Sequence, residues 1–126
     1  MVSPRHALRA LLVAAVALAA PLAFAAGTFV NVLTGGTSGV YYPLGVALAG
    51  VIGKAMPNVK ASVQATKASV ENLNLLQAGR GEIAFTLGDS LSDAWKGNEE
   101  AGFKTPLKKL RGVAAIYPNY IQIVAR

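Results

Sequence analysis

The chain contains no cysteine, and its single histidine, His6, lies close to the amino terminus of the 126 residues. The absence of cysteine excludes disulfide bonds, thiolate metal sites and cysteine nucleophiles. Because we expect the segment that contains His6 to be removed, the remaining chain has no imidazole for a Ser-His-Asp triad or a histidine metal site. No pair of carboxyl groups in an environment that would raise a pKa can be recognised either. The sequence therefore predicts no metal ion, no cofactor and no enzymatic activity.

The amino-terminal residues have the layout of an export signal. Arg5 and Arg9 form a basic start, an apolar run of Ala, Leu and Val extends to residue 20, and small residues precede the bond after Ala25. Residues 1–25 are therefore predicted to be a cleavable signal peptide. The alternative is an uncleaved anchor helix, although the apolar run is short for a membrane span and Pro21 follows it at once.

The charge that remains after cleavage is mildly basic, because the loss of Arg5 and Arg9 lowers the formal net charge from +6 to +4. The basic residues form one cluster, which comprises Lys104, Lys108, Lys109 and Arg111. Sites for single-stranded nucleic acid interleave basic groups with aromatic platforms, and this cluster lacks such platforms. We therefore interpret the cluster as a solvated surface and expect no nucleic-acid partner.

Residues 26–126 are expected to form a single domain, in which hydrophobic periodicity predicts strands and helices in alternation. Strands are predicted at 29–33, 59–66, 82–87, 110–117 and 120–126. Helices are predicted at 44–56, from residue 69 to the glycines at 79 and 81, and at 91–96, and a polar loop is predicted at 97–105. Ser69 is predicted to cap the second helix, and Asp89 and Ser90 the third. This alternation predicts an α/β fold, with a mostly parallel sheet, flanking helices and right-handed crossovers.

A glycine-rich loop joins the first predicted strand to the first predicted helix. It runs Thr34-Gly35-Gly36-Thr37-Ser38-Gly39-Val40-Tyr41-Tyr42-Pro43. The helix that follows leaves backbone N–H groups free at its start, where the helix dipole also favours negative charge, so the loop fits a small anion or a phosphate. In an open parallel sheet, ligands lie beyond the carboxyl ends of the strands, and we expect loops 34–42, 66–69 and 87–90 to converge there.

Two other functions are compatible with this loop. Thr34, Gly35 and Gly39 are similar to the opening of a short-chain dehydrogenase nucleotide loop, but Tyr41 replaces the glycine that admits the pyrophosphate. Lys67 also stands where an acid would hold the ribose. One alternative is therefore a nucleotide-binding oxidoreductase-like α/β domain with a degenerate loop. The other is an exported interaction module that acts through a protein partner.

Several motifs along the chain occur together in one transporter family. They are the stretch from Thr34 to Gly45, Ser69-Val70-Glu71-Asn72-Leu73 with Ala78-Gly79, Ile83-Ala84-Phe85 with Asp89, and Tyr117-Pro118. With these motifs, of which Gly39-Val40-Tyr41-Tyr42-Pro43 is the most specific, the chain resembles the solute receptors of tripartite ATP-independent periplasmic (TRAP) transporters, of the TAXI type. The resemblance spans nearly all of residues 26–126.

The resemblance implies a periplasmic receptor with a periplasmic-binding-protein-like (type II) fold, in which two α/β lobes enclose a ligand cleft. Residues 26–126 would be the amino-terminal lobe, and the second lobe is missing from the sequence, which we expect to be truncated. Such a receptor would be a monomer that binds a small organic anion, either a glutamate-like amino acid or a dicarboxylate. It would deliver this solute to the membrane permease subunits of the transporter.

The resemblance also implies the ligand-binding residues. Thr37, Ser38, Gly39 and Tyr41 would belong to the loop of the first lobe, Ser69 to the start of the second helix, and Asp89 and Tyr117 to the hinge edge of the cleft. Backbone N–H groups at two helix starts would bind the anion, hydroxyl groups would complete its shell, and Tyr41 would form a wall. The sequence does not decide whether Tyr41 or Tyr42 faces the cleft.

Overall fold

The computed structural model describes residues 27–120 and 123–125, and the predicted signal peptide, residues 1–25, lies outside these ranges. The elements in chain order are β1 (Thr28–Leu33), α1 (Tyr41–Ala55), β2 (Val59–Gln64), α2 (Ser69–Gln77), β3 (Ile83–Ala84) and α3 (Gly88–Lys96). Within the described ranges, no helix combines the length and the hydrophobicity that crossing a membrane requires.

The three strands form one parallel sheet with β1 in the centre, in the order β2-β1-β3. Strands β1 and β2 pair over their whole length, with Leu33 opposite Gln64, and β3 pairs with the other edge of β1, with Ile83 opposite Val32. Each helix follows one strand of this sheet along the chain. The predicted α/β fold with a parallel sheet and flanking helices is confirmed, and it is compatible with part of a periplasmic-binding-protein-like lobe.

The hydrophobic core lies between α2, α3 and the chain that follows α3. Its buried members are Leu73, Ala94, Phe103, Leu107 and Leu110. Phe103 is fully buried although it belongs to residues 97–105, which the sequence predicts as a polar loop. Burial of a phenyl side chain contributes on the order of 2 kcal/mol to stability. The segment after α3 therefore closes the core instead of running over the surface.

The strand predicted at 110–117 is not found, and the prediction is wrong. Residues 111–120 belong to no helix or strand, and the described part of the sheet ends at β3. An apolar segment becomes a strand only when a neighbouring strand pairs with its backbone and covers its side chains. In this segment the side chain of Val113 is 92% exposed, so it does not pack against the sheet. Of the strand predicted at 120–126, residues 121, 122 and 126 lie outside the description, and residues 120 and 123–125 form no strand.

Several element boundaries also differ from the prediction, since β2 ends at Gln64 rather than at residue 66 and α3 begins at Gly88 rather than at residue 91. Helix α1 begins at Tyr41 rather than at residue 44, and Pro43 lies in its first turn, where the missing N–H leaves no hydrogen bond unmade. Strand β3 is limited to Ile83–Ala84, although the N–H of Phe85 still donates to the carbonyl oxygen of Leu33 at 3.0 Å. The chain thus leaves the sheet at Phe85 and turns towards α3.

Gly45 and Gly50, both in α1, differ in what surrounds them. A Cβ added at Gly45 would collide with Cγ2 of Thr34 and lie 3.3 Å from Cγ1 of Val63, whereas a Cβ at Gly50 would meet nothing within 4 Å. Glycine inside a helix costs about 0.5–1 kcal/mol relative to alanine. Gly50→Ala should therefore raise the free energy of unfolding by about 1 kcal/mol. Gly45→Ala should lower it by about 1–3 kcal/mol through overpacking.

Urea unfolding of both variants beside the wild-type chain measures these changes as shifts of the midpoint in opposite directions. Each variant is the control of the other, since both replace a glycine of the same helix by alanine. A gain of stability in both variants would contradict the close packing of α1 on Thr34.

Candidate functional site

A cleft of about 350 Å³ lies at the carboxyl edge of the sheet, where the loops after β1, β2 and β3 meet. It is lined by Gly35, Gly36, Gly39, Val40, Tyr41, Ala68, Ser69, Leu87, Tyr117 and Asn119. Because each helix follows directly on one of the three loops, the amino termini of α1, α2 and α3 lie at this edge. None of these ten lining residues carries a formal charge, so the polar groups of the cleft are backbone groups, hydroxyl groups and one amide.

The three helices of the described ranges begin without a side-chain cap. The residues at the N-cap positions are Val40, Ala68 and Leu87, and none makes a capping hydrogen bond. Ser, Thr, Asp or Asn usually fills this position and satisfies one of the free N–H groups of the first turn. The prediction that Ser69, Asp89 and Ser90 act as caps is wrong, because all three residues lie inside the first turns of their helices. In α3, the N–H of Ser90 donates to Oδ1 of Asp89 at 2.6 Å. The N-cap residues Val40, Ala68 and Leu87 all line the cleft, so the other first-turn N–H groups lie close to it.

The loops are joined by the side chain of Asn72, which is fully buried on α2. Its amide nitrogen donates to the carbonyl oxygen of Thr34 at 2.6 Å and to that of Phe85 at 2.8 Å. Its amide oxygen accepts from the hydroxyl group of Thr66 at 2.6 Å. Thr34, Thr66 and Phe85 follow β1, β2 and β3 respectively, so one side chain ties together the ends of all three strands.

Two threonines extend this network between β1 and β2. Thr34 is fully buried, and its N–H and hydroxyl groups both donate to the carbonyl oxygen of Gln64, at 3.0 and 2.8 Å. The Thr66 hydroxyl oxygen also accepts from the N–H of Ala68 at 3.0 Å. Among the described residues, no buried side-chain nitrogen or oxygen lacks a hydrogen-bond partner. The network is therefore fully satisfied, as a polar cluster inside a protein must be to stabilise it.

The chain enters α2 through a strained residue. Ala68 has φ 71° and ψ −144°, and it is the one described non-glycine residue with a positive φ. This conformation costs a residue with a Cβ of order 1–3 kcal/mol. The N–H of the preceding Lys67 donates to Oε2 of Glu71 at 2.7 Å, which holds the turn from the other side. The strain is thus maintained by contacts on both flanks, directly at the cleft.

Ser69 connects α2 to the loop before α3. Its side-chain oxygen accepts from the N–H of Leu87 at 3.0 Å, and the residue is buried. Since this oxygen acts as an acceptor for Leu87, the hydroxyl proton is the part of Ser69 that can hydrogen-bond with Tyr41 on the cleft side.

Tyr41 forms an aromatic wall of the cleft. Its ring stacks on that of Phe85, with 5.6 Å between the centroids and 25° between the planes. Burial raises the pKa of Tyr41 above its usual value of 10, the nearby charges of Tyr117 and Asp89 raise it further, and hydrogen bonding with Ser69 partly offsets the increase. Of the two adjacent tyrosines it is Tyr41 that lines the cleft.

The cleft brings together four of the seven residues proposed from the sequence, namely Gly39, Tyr41, Ser69 and Tyr117. Asp89 lies outside the lining, at the exposed start of α3, although its charge acts on Tyr41. Thr37 and Ser38 are exposed in the adjacent turn, which is closed by a 2.9 Å hydrogen bond from the N–H of Gly39 to the carbonyl oxygen of Gly36. The roles of all seven in binding remain predictions.

Sequence reasoning missed Asn72, Thr66 and Ala68. Asn72 stands next to Leu73 on the side of α2 that faces the core, and a polar residue at such a position is a signal that could have been used. The strain at Ala68 has no sequence signal, because alanine is not a residue that favours a positive φ.

A second, larger groove of about 440 Å³ lies between α3 and residues 110–112. It shares no lining residue with the cleft, and its floor is formed by Leu91, Trp95 and Leu110. Its lining includes none of the residues that follow β1 or β2, so we assign the candidate site to the smaller cleft. In the part of the chain that the structure describes, no group of three or more His, Cys, Asp or Glu side chains could hold a metal ion.

A ligand-sized cleft at the carboxyl edge of a parallel sheet is typical of α/β domains that bind small molecules, and this fold is compatible with part of a periplasmic-binding-protein-like lobe. The model of the NMT1-like family matches residues 32–126, and the chain belongs to this family. The family is one of periplasmic-binding-protein-like solute-binding proteins, which are typically extracytoplasmic, and not one of enzymes. The chain is therefore a solute-binding protein in this general sense.

The raised pKa of Tyr41 predicts a stability change in alkaline solution. Because the native state holds this proton more tightly than the unfolded chain, the contribution of Tyr41 to stability is complete below pH 10 and is lost as the pH rises above 10. Between pH 9 and 11, the free energy of unfolding should fall more steeply for the wild-type chain than for Tyr41→Phe, which has no phenolic proton. Parallel curves for the two proteins would contradict the burial of this hydroxyl group.

The strain at Ala68 predicts that Ala68→Gly stabilises the protein. Relief of 1–3 kcal/mol of strain, less 0.4–1 kcal/mol for the greater freedom of glycine in the unfolded chain, leaves a gain of about 1 kcal/mol. Ala78→Gly is the matched control, because Ala78 has φ −80° at the end of α2 and carries no such strain. Chemical denaturation should show a higher midpoint for the first variant and a lower one for the control. A loss of stability in both would mean that Ala68 is unstrained.

Proposed function

We propose that this protein is the solute receptor of a TRAP transporter of the TAXI type, and that it binds a small organic anion, a glutamate-like amino acid or a dicarboxylate. The observation that carries the proposal is the meeting of three uncapped helix amino termini at one cleft. Backbone N–H groups that have no partner within the helix, together with the helix dipole, favour a negatively charged ligand. In this proposal the receptor hands the solute to membrane permease subunits.

The hydroxyl groups around the cleft would complete the ligand shell. Ser69 can donate its proton to a carboxylate in place of Tyr41, while its oxygen still accepts from the N–H of Leu87. Thr37 and Ser38, which are exposed in the neighbouring turn, would reach the ligand only if that turn moved towards it. Loop movement of this kind accompanies the closure of binding proteins around their ligands.

The walls of the cleft and the nearby carboxylate favour an amino acid over a dicarboxylate. Tyr41 and Tyr117 offer aromatic surface to the carbon chain of a ligand. Asp89 would repel a second carboxylate and attract an ammonium group, because its charge already acts on Tyr41 at the cleft.

The remaining parts of the proposal concern the chain outside the cleft. Residues 1–25 would be a cleaved export signal, which would place the receptor in the periplasm as a monomer. Residues 26–126 would form the amino-terminal lobe, and hinge closure around the ligand would need a second lobe from outside this sequence.

A thermal-shift experiment tests the ligand class on the full 126-residue chain. L-Glutamate, succinate and NAD⁺ are each titrated, and glutamate or succinate should raise the melting temperature, since a hundredfold excess over Kd stabilises the native state by about 2.7 kcal/mol. Ser69→Ala should weaken this binding by about tenfold or more, because a hydrogen bond to a charged group is worth about 1.5–3 kcal/mol.

Ser62→Ala is the matched control, because Ser62 lies on β2, is exposed and donates to Asn31 at 3.1 Å. Its affinity for the ligand should equal that of the wild-type chain. A shift with NAD⁺ alone would favour the nucleotide-binding alternative, and unchanged affinity in Ser69→Ala would overturn the site assignment. The absence of a shift with glutamate and with succinate would contradict the proposed ligand class.

A further inference from the structure

We infer that Asn72 is a positioning residue for ligand binding, because its amide sets the relative placement of the three helix starts although its side chain does not line the cleft. The effect on affinity rests on the proposed function. The effect on the loops rests on the hydrogen-bond geometry alone. The two can therefore fail separately.

Each hydrogen bond of Asn72 leads along the chain to a different helix start. The carbonyl group of Thr34 precedes Gly35 and Gly36, which line the cleft before α1. The carbonyl group of Phe85 lies two residues before Leu87, the N-cap of α3.

The third bond acts on α2 itself. The hydroxyl group of Thr66 donates to Asn72 and accepts from the N–H of Ala68, the strained residue that begins α2. The backbone N–H of Asn72 also donates a hydrogen bond to the carbonyl oxygen of Ala68 at 3.0 Å. Displacement of the Asn72 side chain would therefore remove one hydrogen bond at each of the three strand ends and loosen all three loops together.

Only a primary amide of this length matches the three partners. It offers two N–H donors to two carbonyl groups and one oxygen to a hydroxyl group. An ionised carboxylate of the same shape would place negative charge against two carbonyl oxygens. Leucine would leave the buried carbonyl group of Phe85 without its amide donor, while the Thr66 hydroxyl group, which lies 2.9 Å from the carbonyl oxygen of Thr34, could pair with that oxygen alone. Asn72→Leu thus removes all three side-chain contacts, and Asn72→Asp removes the two donated ones while its oxygen can still accept from Thr66.

The neighbouring Leu73 supplies a matched control. It lies on the same helix and is 1% exposed, but it packs in the hydrophobic core and not against the loops. Leu73→Ala therefore destabilises the whole domain without removing a loop contact. Any loss of loop protection or of ligand affinity that the Asn72 variants show beyond this control is therefore attributed to the positioning of the loops.

The test measures hydrogen-exchange protection factors on the full chain at the N–H groups of Thr34, Ala68 and Leu87, one for each strand end. Each of these groups donates a hydrogen bond in the native protein. In Asn72→Leu, all three protection factors should fall at least tenfold further than the amides of β1 do. In Leu73→Ala, the strand ends and β1 should lose protection together.

Asn72→Asp adds a readout that a purely structural role would not give. Protonation of the buried carboxyl group gives the side chain one hydrogen-bond donor again. The hydrogen-exchange protection of the Thr34 and Leu87 N–H groups should therefore recover in part as the pH is lowered from 8 to 5. The charged side chains near this end of α2, Lys67, Glu71 and Asp89, are also present in Leu73→Ala. That variant should show no such recovery.

Calorimetric titration with L-glutamate measures the binding consequence, with at least a tenfold loss of affinity expected for Asn72→Leu and less than threefold for Leu73→Ala. If the wild-type chain does not bind L-glutamate, the proposed ligand is wrong while the protection factors still decide the role of Asn72. Loss of protection at one strand end alone, or a loss equal to that of Leu73→Ala, would overturn the inference.

If both Asn72 variants fail to fold, Thr66→Val and Thr66→Ser replace them. Valine keeps the shape of threonine without its hydroxyl group, and serine keeps the hydroxyl group. Reduced protection at Ala68 and Leu87 in Thr66→Val, with recovery in Thr66→Ser, would support the coupling of the loops through Asn72. Identical protection in the two variants would overturn it.

Discussion

The hydrogen bonds of one buried amide group determine how this lobe can be built. Where parallel strands end, their last carbonyl groups leave the sheet ladder and need other donors, and a buried carbonyl group without one costs free energy comparable to a lost hydrogen bond. Asn72 supplies donors to the carbonyl groups of Thr34 and Phe85 in a place that water does not reach. Because the same side chain accepts from Thr66, one amide group contributes to the stability of all three strand ends, beside the direct hydrogen bond from the Thr66 hydroxyl group to the carbonyl oxygen of Thr34.

This constraint explains why the helices can begin without caps. A side-chain cap normally satisfies a first-turn N–H group and fixes the direction in which the chain enters the helix. Here the direction is fixed by hydrogen bonds to residues just before each helix. The Thr66 hydroxyl group, which donates to Asn72, accepts from the N–H of Ala68, and the Ser69 side chain accepts from the N–H of Leu87. Apart from the N–H of Ser90, which donates to Asp89, the N–H groups of the first turns thus have no side-chain cap, and the strain at Ala68 is part of the cost of that arrangement.

The sequence predicts the parts of the fold that depend on local pattern. Alternation and periodicity locate β1, β2 and all three helices, and the rule for parallel sheets correctly predicts that the loops converge at one edge. The strand predicted at 110–117 is wrong because its hydrophobic pattern does not reveal whether a pairing neighbour is present. Asn72 is missed for a related reason, since its partners are carbonyl groups of Thr34 and Phe85, and backbone groups have no signature in a sequence.

These contacts give the buried polar side chains and the backbone different roles, since the former hold the loops and the latter faces the cleft. The polar side chains of Thr34, Thr66 and Asn72 hold the loops, and the cleft is lined mainly by backbone groups, tyrosine rings and glycines, with Ser69 and Asn119 as its other polar side chains. A surface of that kind tolerates substitution on its rim, because a backbone N–H group is present whatever the side chain. The layer beneath it does not, because Gly45 has no room for a methyl group and Asn72 has no isosteric replacement with the same donors. Selection on such a site should therefore act more strongly on residues that never touch the ligand than on many that do.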